Sequence, residues 1–455
     1  MEREKFKSRI GFIMISAGCA IGVGNVWRFP YVVGENGGAI FVLIYITFLI
    51  ILGVPVLTME LALGRSSRKS IVCAYKTLEK PKSKWHYQGY VAMIANYVLM
   101  MFYTVVTGWM LYYFFAMLTG KFEGATTEEV VSHFGELTQQ PVLMAVMTII
   151  VIALGFAVCS LGLQKGVERV TKVMMISLLL LMILLAANSL FLKGGKAGIE
   201  FYLKPDISSV KEHGIINIVV AAMNQAFFTL SLGIGSIAIF GSYMDKDRAL
   251  LGEAVTIAGL DTFVAIMSGL IIFPACFTYG VSTDSGPSLI FITLPNIFAK
   301  MPGGRIWGSL FFLFMTFAAF STVIAVFENI ISFAVDLKGI DRKKSAIMNF
   351  IIVAAGSMPC VLGFNQWSGF APFGKGSNIL DLEDFLVSNV FLPVGALILV
   401  LFCSWKIGWG YDEYKREADT GKGMKLPGII KPLAKYVIPV LVIFVFVQGI
   451  MAKFF

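Results

Sequence analysis

Residues 9–31 read RIGFIMISAGCAIGVGNVWRFPY, and residues 224–243 read NQAFFTLSLGIGSIAIFGSY. Both stretches are apolar enough to cross a bilayer, and both are interrupted at the middle. Gly18, Gly22 and Gly24 crowd the first, with Pro30 beyond them; Gly233 and Gly235 sit in the second. Small residues also serve close helix packing in membranes, and either cluster alone reads that way. Two clusters at corresponding places mean more, because paired interrupted helices point to a ligand site near the bilayer midplane. Unwinding bares carbonyl oxygens that suit a hard cation such as sodium. It also leaves half-helix N-termini whose positive ends suit a carboxylate. A zwitterionic amino acid matches both.

The correspondence rests on counting spans. Of 455 residues, 57% are hydrophobic and only 14% charged, with a mean hydropathy of +0.80; a soluble domain carries about 25% charge. A helix needs about 20 apolar residues to cross the hydrocarbon core. Such runs lie near 10–36, 40–63, 88–118, 142–161, 168–191, 215–242, 250–280, 306–336, 345–363, 384–405 and 434–453, eleven in all. Spans one and six therefore open two five-span halves. Since five is odd, the second half enters from the opposite side. The expected fold is one all-α integral membrane domain over residues 1–455, with about eleven transmembrane helices. Helices 1–5 (about 10–191) and 6–10 (about 215–405) form a 5+5 inverted repeat with discontinuous helices 1 and 6, and helix 11 is extra. Residues 281–304 read as a re-entrant or surface hairpin that could act as a lid, and 406–433 as a polar connection.

Net charge is +9, which in a soluble chain would suggest nucleic acid. Here the basic residues sit between apolar runs, as membrane topology requires, so the expected partner is a lipid bilayer and no nucleic acid. With the N-terminus inside, 27 of the 37 Lys and Arg fall in cytoplasmic segments, which predicts that orientation and an external C-terminus. The outward 121–140 loop, with Glu123, Glu128, Glu129 and Glu136, agrees. Short termini and external loops suggest a multi-pass protein of a bacterial inner (plasma) membrane, as a monomer or weak homodimer. Six cysteines without CxxC spacing and three scattered histidines (His86, His133, His213) predict neither disulfides nor a zinc site. No cleavable signal peptide is read at the start.

Residues 8–38, SRIGFIMISAGCAIGVGNVWRFPYVVGENGG, resemble the first-helix signature of the neurotransmitter:sodium symporters. The likeness extends to GVPVLTMELALGR (53–65), KGVERVTK (165–172), NQAFFTLSLGIG (224–235), FITLPNIF (291–298) and AAFSTVIA (318–325). It implies the fold named after the bacterial leucine transporter, and sodium-coupled symport of an amino acid by alternating access. Two sodium ions are implied. The first would be held by carbonyls of Ala20 and Thr229, the Thr229 hydroxyl, Asn25, Asp261 and the substrate carboxylate. The second would be held by carbonyls of Gly18, Ile21 and Ala318 with the hydroxyls of Ser321 and Thr322. Many relatives have Asn where this chain has Asp261. That carboxylate would supply the charge that chloride supplies in animal relatives, so chloride is not expected.

Gly22 bears on substrate class. Monoamine members of the family have Asp at the matching place; with Gly the substrate must bring its own carboxylate. By resemblance, that carboxylate would meet the Gly24 N–H and the Tyr103 hydroxyl, and the amino group carbonyls of Ala20, Phe228, Thr229 and Ser231. Cys19, Val23, Leu99, Phe228, Ile234, Val323 and Val326 would line an uncharged pocket, favouring an apolar or aromatic amino acid. Arg28 and Asp384 would form the external gate, with Gln225 beside them and Tyr103 and Phe228 as an aromatic lid. Arg3 and Asp336, with Tyr243 nearby, would form the internal gate. Glu60 would support the sixth-helix break. Two departures stand out: Phe6 replaces the family's usual Trp, and Gly166 is followed at the tenth position by Ile176 where relatives often have Pro.

Three other readings compete: an amino acid receptor that moves nothing, a membrane enzyme, and a proton-driven carrier. The paired gates argue against the first. The second lacks a metal cluster, GxSxG or phosphate loop. Uptake with sodium replaced by potassium separates the third.

Overall fold

The computed structural model describes residues 3–192, 194–206, 210–211, 214–280 and 289–454. Nine helices among them are long and apolar enough to cross a membrane. These are spans two (Ala39–Ser67), three (His86–Leu118), four (Pro141–Ser160), five (Leu163–Leu190), seven (Leu250–Tyr279), eight (Gly304–Lys338), nine (Arg342–Gly363), ten (Ile379–Ser404) and eleven (Ile430–Phe454). Span one is a bent pair, Arg9–Ala20 and Gly24–Glu35, turning by 58°. Span six is split into Ile215–Phe228 and Ser236–Ser242. Both predicted interruptions are thus present, and the eleven predicted spans have counterparts.

The breaks have local causes. Ile21 leaves the helix at ψ 105°, and the Asn25 side chain accepts from the Gly22 N–H at 3.1 Å, closing a turn that replaces helical bonding. In span six the chain takes left-handed conformations at Ser231 (φ 49°), Gly233 (φ 96°) and Gly235 (φ 77°). A Cβ at Gly233 would collide with the backbone of Leu392 and Ala396 in span ten, so only glycine serves there. Span two meets the second half of span six through glycines from both sides: a Cβ on Gly64 would strike the Ala238 carbonyl, and one on Gly241 the Leu61 carbonyl at 2.5 Å. Such backbone contact is the usual role of small residues between membrane helices.

Between the spans the structure is more helical than the sequence reading. Thr127–Thr138 is a helix with a capping box between Thr126 and Glu129. Leu289–Lys300, inside the predicted 281–304 hairpin, is helical; 281–288 of that prediction lie outside the described residues, as does His213. The 406–433 connection contains the helix Tyr411–Ala418. Span five starts at Leu163 with a wide turn, Leu163–Glu168, and runs unbroken through Ile176, whose side chain is exposed on the outer surface. A Cβ at Gly166 would overlap the Val158 carbonyl, so Gly166 seats span five on span four.

Gly64→Ala is expected to lower the thermal unfolding midpoint in detergent by several degrees, overpacking of this kind costing about 1–3 kcal/mol. Gly259→Ala, an exposed span-seven position with nothing within 4 Å of an added Cβ, should leave it unchanged. Equal shifts for the two would contradict the backbone contact.

Candidate functional site

The two breaks face each other across the middle of the bundle, with span seven behind them. Asp261, fully buried in that span, is the centre of the first cluster. Its two carboxylate oxygens accept from the Asn25 amide at 2.8 Å and the Thr229 hydroxyl at 2.8 Å. Asn25 also reaches Thr229 Oγ1 and the Asp261 carbonyl at 3.2 Å each. The structure thereby assembles one carboxylate, one amide and one hydroxyl, with Ala20 lining the adjoining cavity. All the acceptors are hard oxygens around a buried carboxyl group, a donor set that fits sodium and not a thiolate-seeking metal.

The second cluster joins span one to span eight. Ser321 Oγ donates to the carbonyls of Gly18 and Ala318, both at 2.9 Å. Thr322 Oγ1 lies 3.3 Å from the carbonyls of Gly18 and Ile21. All five oxygens named from the sequence meet here, where Ile21 ends the helix. Each is neutral, so a bound cation would keep its charge partly uncompensated, unlike one beside Asp261.

A cavity of about 370 Å³ extends from these breaks toward the face opposite the N-terminus. Its floor holds Gly22, Gly24 and Tyr103. The Val23 N–H donates to the Tyr103 hydroxyl at 3.0 Å. A Cβ at Gly22 would stand 2.5 Å from that hydroxyl and 3.0 Å from Thr322 Oγ1, whereas one at Gly24 meets nothing within 4 Å. Gly22 is therefore filled space and Gly24 open backbone. Val23, Leu99, Phe228, Thr229, Ser231 and Ile234 line the cavity. Cys19, Val323 and Val326 do not; Val323 sits against Gly155 of span four, so the lining of the cavity differs from the predicted one at these positions. Phe102 and Val106 take their part. Leu99, Tyr103 and Val106 recur at helical spacing on one face of span three, a signal that was available in the sequence.

Two supports hold the span-six break. The Glu60 carboxylate faces the N–H groups of Gly233, Gly235, Ile237 and Ala238, at the positive start of the second half-helix. Asn96, unassigned by the sequence reading, donates to the Ile234 carbonyl at 2.8 Å and accepts from Ser236 Oγ at 3.0 Å.

The two faces differ. On the N-terminal face Arg3 grips Asp336 with two bonds of 2.6 and 2.7 Å, touches Ser242, and lies over the Tyr243 ring. Tyr243 donates to Glu328 at 2.6 Å, and Glu328 pairs with Arg342. Phe6 packs edge-on against Phe12 and Tyr243, so the ring contact survives the loss of an indole. The neighbouring Glu4 accepts the Leu163 N–H of span five at 2.8 Å, and Glu168 of span five accepts the Lys7 N–H at 2.9 Å. Lys5, with Arg68 behind it, holds the exposed Asp245 carboxyl below the usual carboxylate range.

On the opposite face Arg28 and Asp384 both line the cavity but form no ion pair among the described residues. Arg28 rests on the Phe228 ring at 3.9 Å, and Asp384 accepts from Ser388 at 2.8 Å. Gln225 is buried and lines the cavity, yet neither of its amide atoms has a partner among the described residues.

The model of the sodium:neurotransmitter symporter family matches residues 3–133 and 126–454. An uncharacterised sodium-dependent transporter of Bacillus subtilis is 34% identical over 98% of this chain and 97% of its own length. One from Methanocaldococcus jannaschii is 31% identical over 97% and 89%. The sodium-dependent serotonin transporter of Drosophila melanogaster is 26% identical over 99% of this chain and 76% of its own. Among solved structures, MhsT in complex with L-phenylalanine superposes with a TM-score of 0.87 at 36% identity, covering 98% of this chain and 100% of that one.

Replacing both hydroxyls, Ser321→Ala with Thr322→Val, is expected to raise the sodium concentration for half-maximal thermal stabilisation at least tenfold, about 1.4 kcal/mol. Unchanged sodium dependence would remove the second cluster from consideration. Gly22→Ala is expected to weaken at least tenfold the binding of any ligand held by the Tyr103 hydroxyl, because the new methyl displaces that hydroxyl. Wild-type affinity in Gly22→Ala would contradict that steric reading.

Proposed function

Since the chain belongs to the sodium:neurotransmitter symporter family, a family of sodium-dependent membrane transporters and not enzymes, we propose that it couples two sodium ions to the uptake of an apolar or aromatic amino acid. The observation that carries this is the buried Asp261–Asn25–Thr229 cluster opening into a cavity whose floor has bare Gly24 backbone. One sodium ion would sit among Asp261, Asn25, Thr229 and the Ala20 carbonyl once the Asn25 and Thr229 oxygens turn from hydrogen bonding to ligation. The other would take the Gly18, Ile21, Ala318, Ser321 and Thr322 oxygens.

The substrate carboxylate would lie over Gly24 and Tyr103, beside the first ion. Ligation by that carboxylate makes sodium and substrate raise each other's affinity reciprocally. Leu99, Phe102, Val106, Phe228 and Ile234 offer the side chain no charge. Phenylalanine in the MhsT structure supports an aromatic or large aliphatic side chain here.

The N-terminal face is read as cytoplasmic, in a bacterial inner membrane, from its excess of Lys and Arg. Sealing by Arg3–Asp336 with Arg28 and Asp384 apart then corresponds to an outward-facing state. Substrate would draw Arg28 toward Asp384, and rocking would release Arg3. The Asp261 carboxylate would balance the charge of the first ion, so chloride has no place to fill.

Binding of the twenty amino acids to purified protein is expected only in sodium and only for large apolar or aromatic ones, while monoamines fail. Asn25→Ala and Thr229→Ala should each abolish it. Binding that persists equally in potassium would overturn the proposal. Uptake into proteoliposomes should be unchanged when gluconate replaces chloride; Asp261→Asn should lower it at least tenfold in gluconate. A chloride requirement in the wild type would end the charge-substitution reading.

A further inference from the structure

The helix Tyr411–Ala418, between spans ten and eleven, buries Tyr411, Tyr414, Glu417 and Ala418, a single stripe at helical spacing. That stripe lies on the end of span two, where Arg65 is wholly buried. A guanidinium shut away from water needs an acceptor for each edge. Arg65 Nε donates to Glu417 Oε1 at 2.7 Å. Its other nitrogens reach the backbone carbonyls of Arg248 and Glu417. The second Glu417 oxygen accepts from Lys246 at 2.8 Å. Just downstream, the Lys422 N–H donates to the Asp247 carbonyl at 2.8 Å, and the Ala249 N–H to the Lys422 carbonyl at 2.9 Å. Gly421 (φ 91°) is pressed so close that a Cβ would collide with the Asp247–Arg248 backbone.

Three pieces far apart in the chain therefore share one buried charge: the end of span two, the connection from span six to span seven, and the connection from ten to eleven. We propose that residues 411–425 are a clamp that holds the N-terminal-face ends of spans two and seven as one body throughout transport, with Glu417 as its positioning residue. Any displacement between that body and spans ten and eleven falls on the flanks. Gly410 (φ 96°) has its nearest neighbour 3.9 Å from an added Cβ, and Gly428 has none within 4 Å. Separation of Glu417 from Arg65 would leave a buried cation uncompensated, so the pair travels together. The inference rests on sodium-dependent transport and is independent of the substrate and of the ion sites.

The test uses the full chain carrying Cys73→Ala, the other five cysteines being buried, with spin labels at Lys69→Cys and Glu413→Cys, both exposed. Double electron–electron resonance should give one narrow distance, the same in sodium and in potassium. Glu417→Gln should broaden it at least twofold or add a second population. Gly421→Val should do the same without touching the buried charge, which covers the case in which Glu417→Gln fails to fold. A distance that changes with the cation in the unsubstituted clamp overturns the proposal. So does a distance unmoved by the foldable variants.

Discussion

In a bilayer a backbone N–H or carbonyl without a partner costs several kcal/mol. Two helices that stop midway must therefore find partners inside the protein for everything they release. The buried polar side chains around the two breaks answer that demand. Glu60 and Asn96 take up the freed groups around the span-six break, Asn25 closes the turn in span one, and Ser321 and Thr322 cover the carbonyls of Gly18 and Ile21. What remains open is small and localised: Gly24, the Asp261 cluster and the cavity above them. The groups that stabilise the breaks and the groups offered to a ligand belong to one connected set.

That arrangement also connects the two faces. Arg3 lies six residues before span one and Arg28 beyond its break, so one stretch of chain reaches both the Arg3–Asp336 pair and the mouth of the cavity. The short second half of span six, Ser236–Ser242, runs from the break directly to Ser242 and Tyr243 at the sealed face. The break thus lies within two helical turns of the Arg3–Asp336 pair, with no long relay between them.

Much of this was legible in the sequence because its signals are stereochemical. Glycine pairs in corresponding spans, and an acid inside span seven, have few alternative uses in lipid. The five oxygens of the second cluster meet as the family resemblance implied. The apolar wall was harder. Cys19, Val323 and Val326 share helices with true lining residues, but a rotation of a few tens of degrees decides whether a side chain faces a cavity or a neighbouring helix. Pattern alone does not fix that angle when every face is apolar. Asn96 was visible as an amide in the apolar body of span three, but its partner across the bundle was not. The helix Thr127–Thr138 lies in what reads from the sequence as an outward loop, although Thr126 and Glu129 stand at capping-box spacing; the helix at Tyr411–Ala418 is short and charged and owes its form to a tertiary partner, Arg65.

Arg3 and Glu4 are adjacent residues committed to different neighbours, one to Asp336 on span eight and the other to the first turn of span five. Glu168 answers from span five to the same strand of chain. A strap fastened this way has no partial release: peeling one residue drags the next off its own anchor. Detachment would then be cooperative, with few half-open intermediates. A carrier built so would resist ion slippage, conserving the stored gradient between productive turnovers.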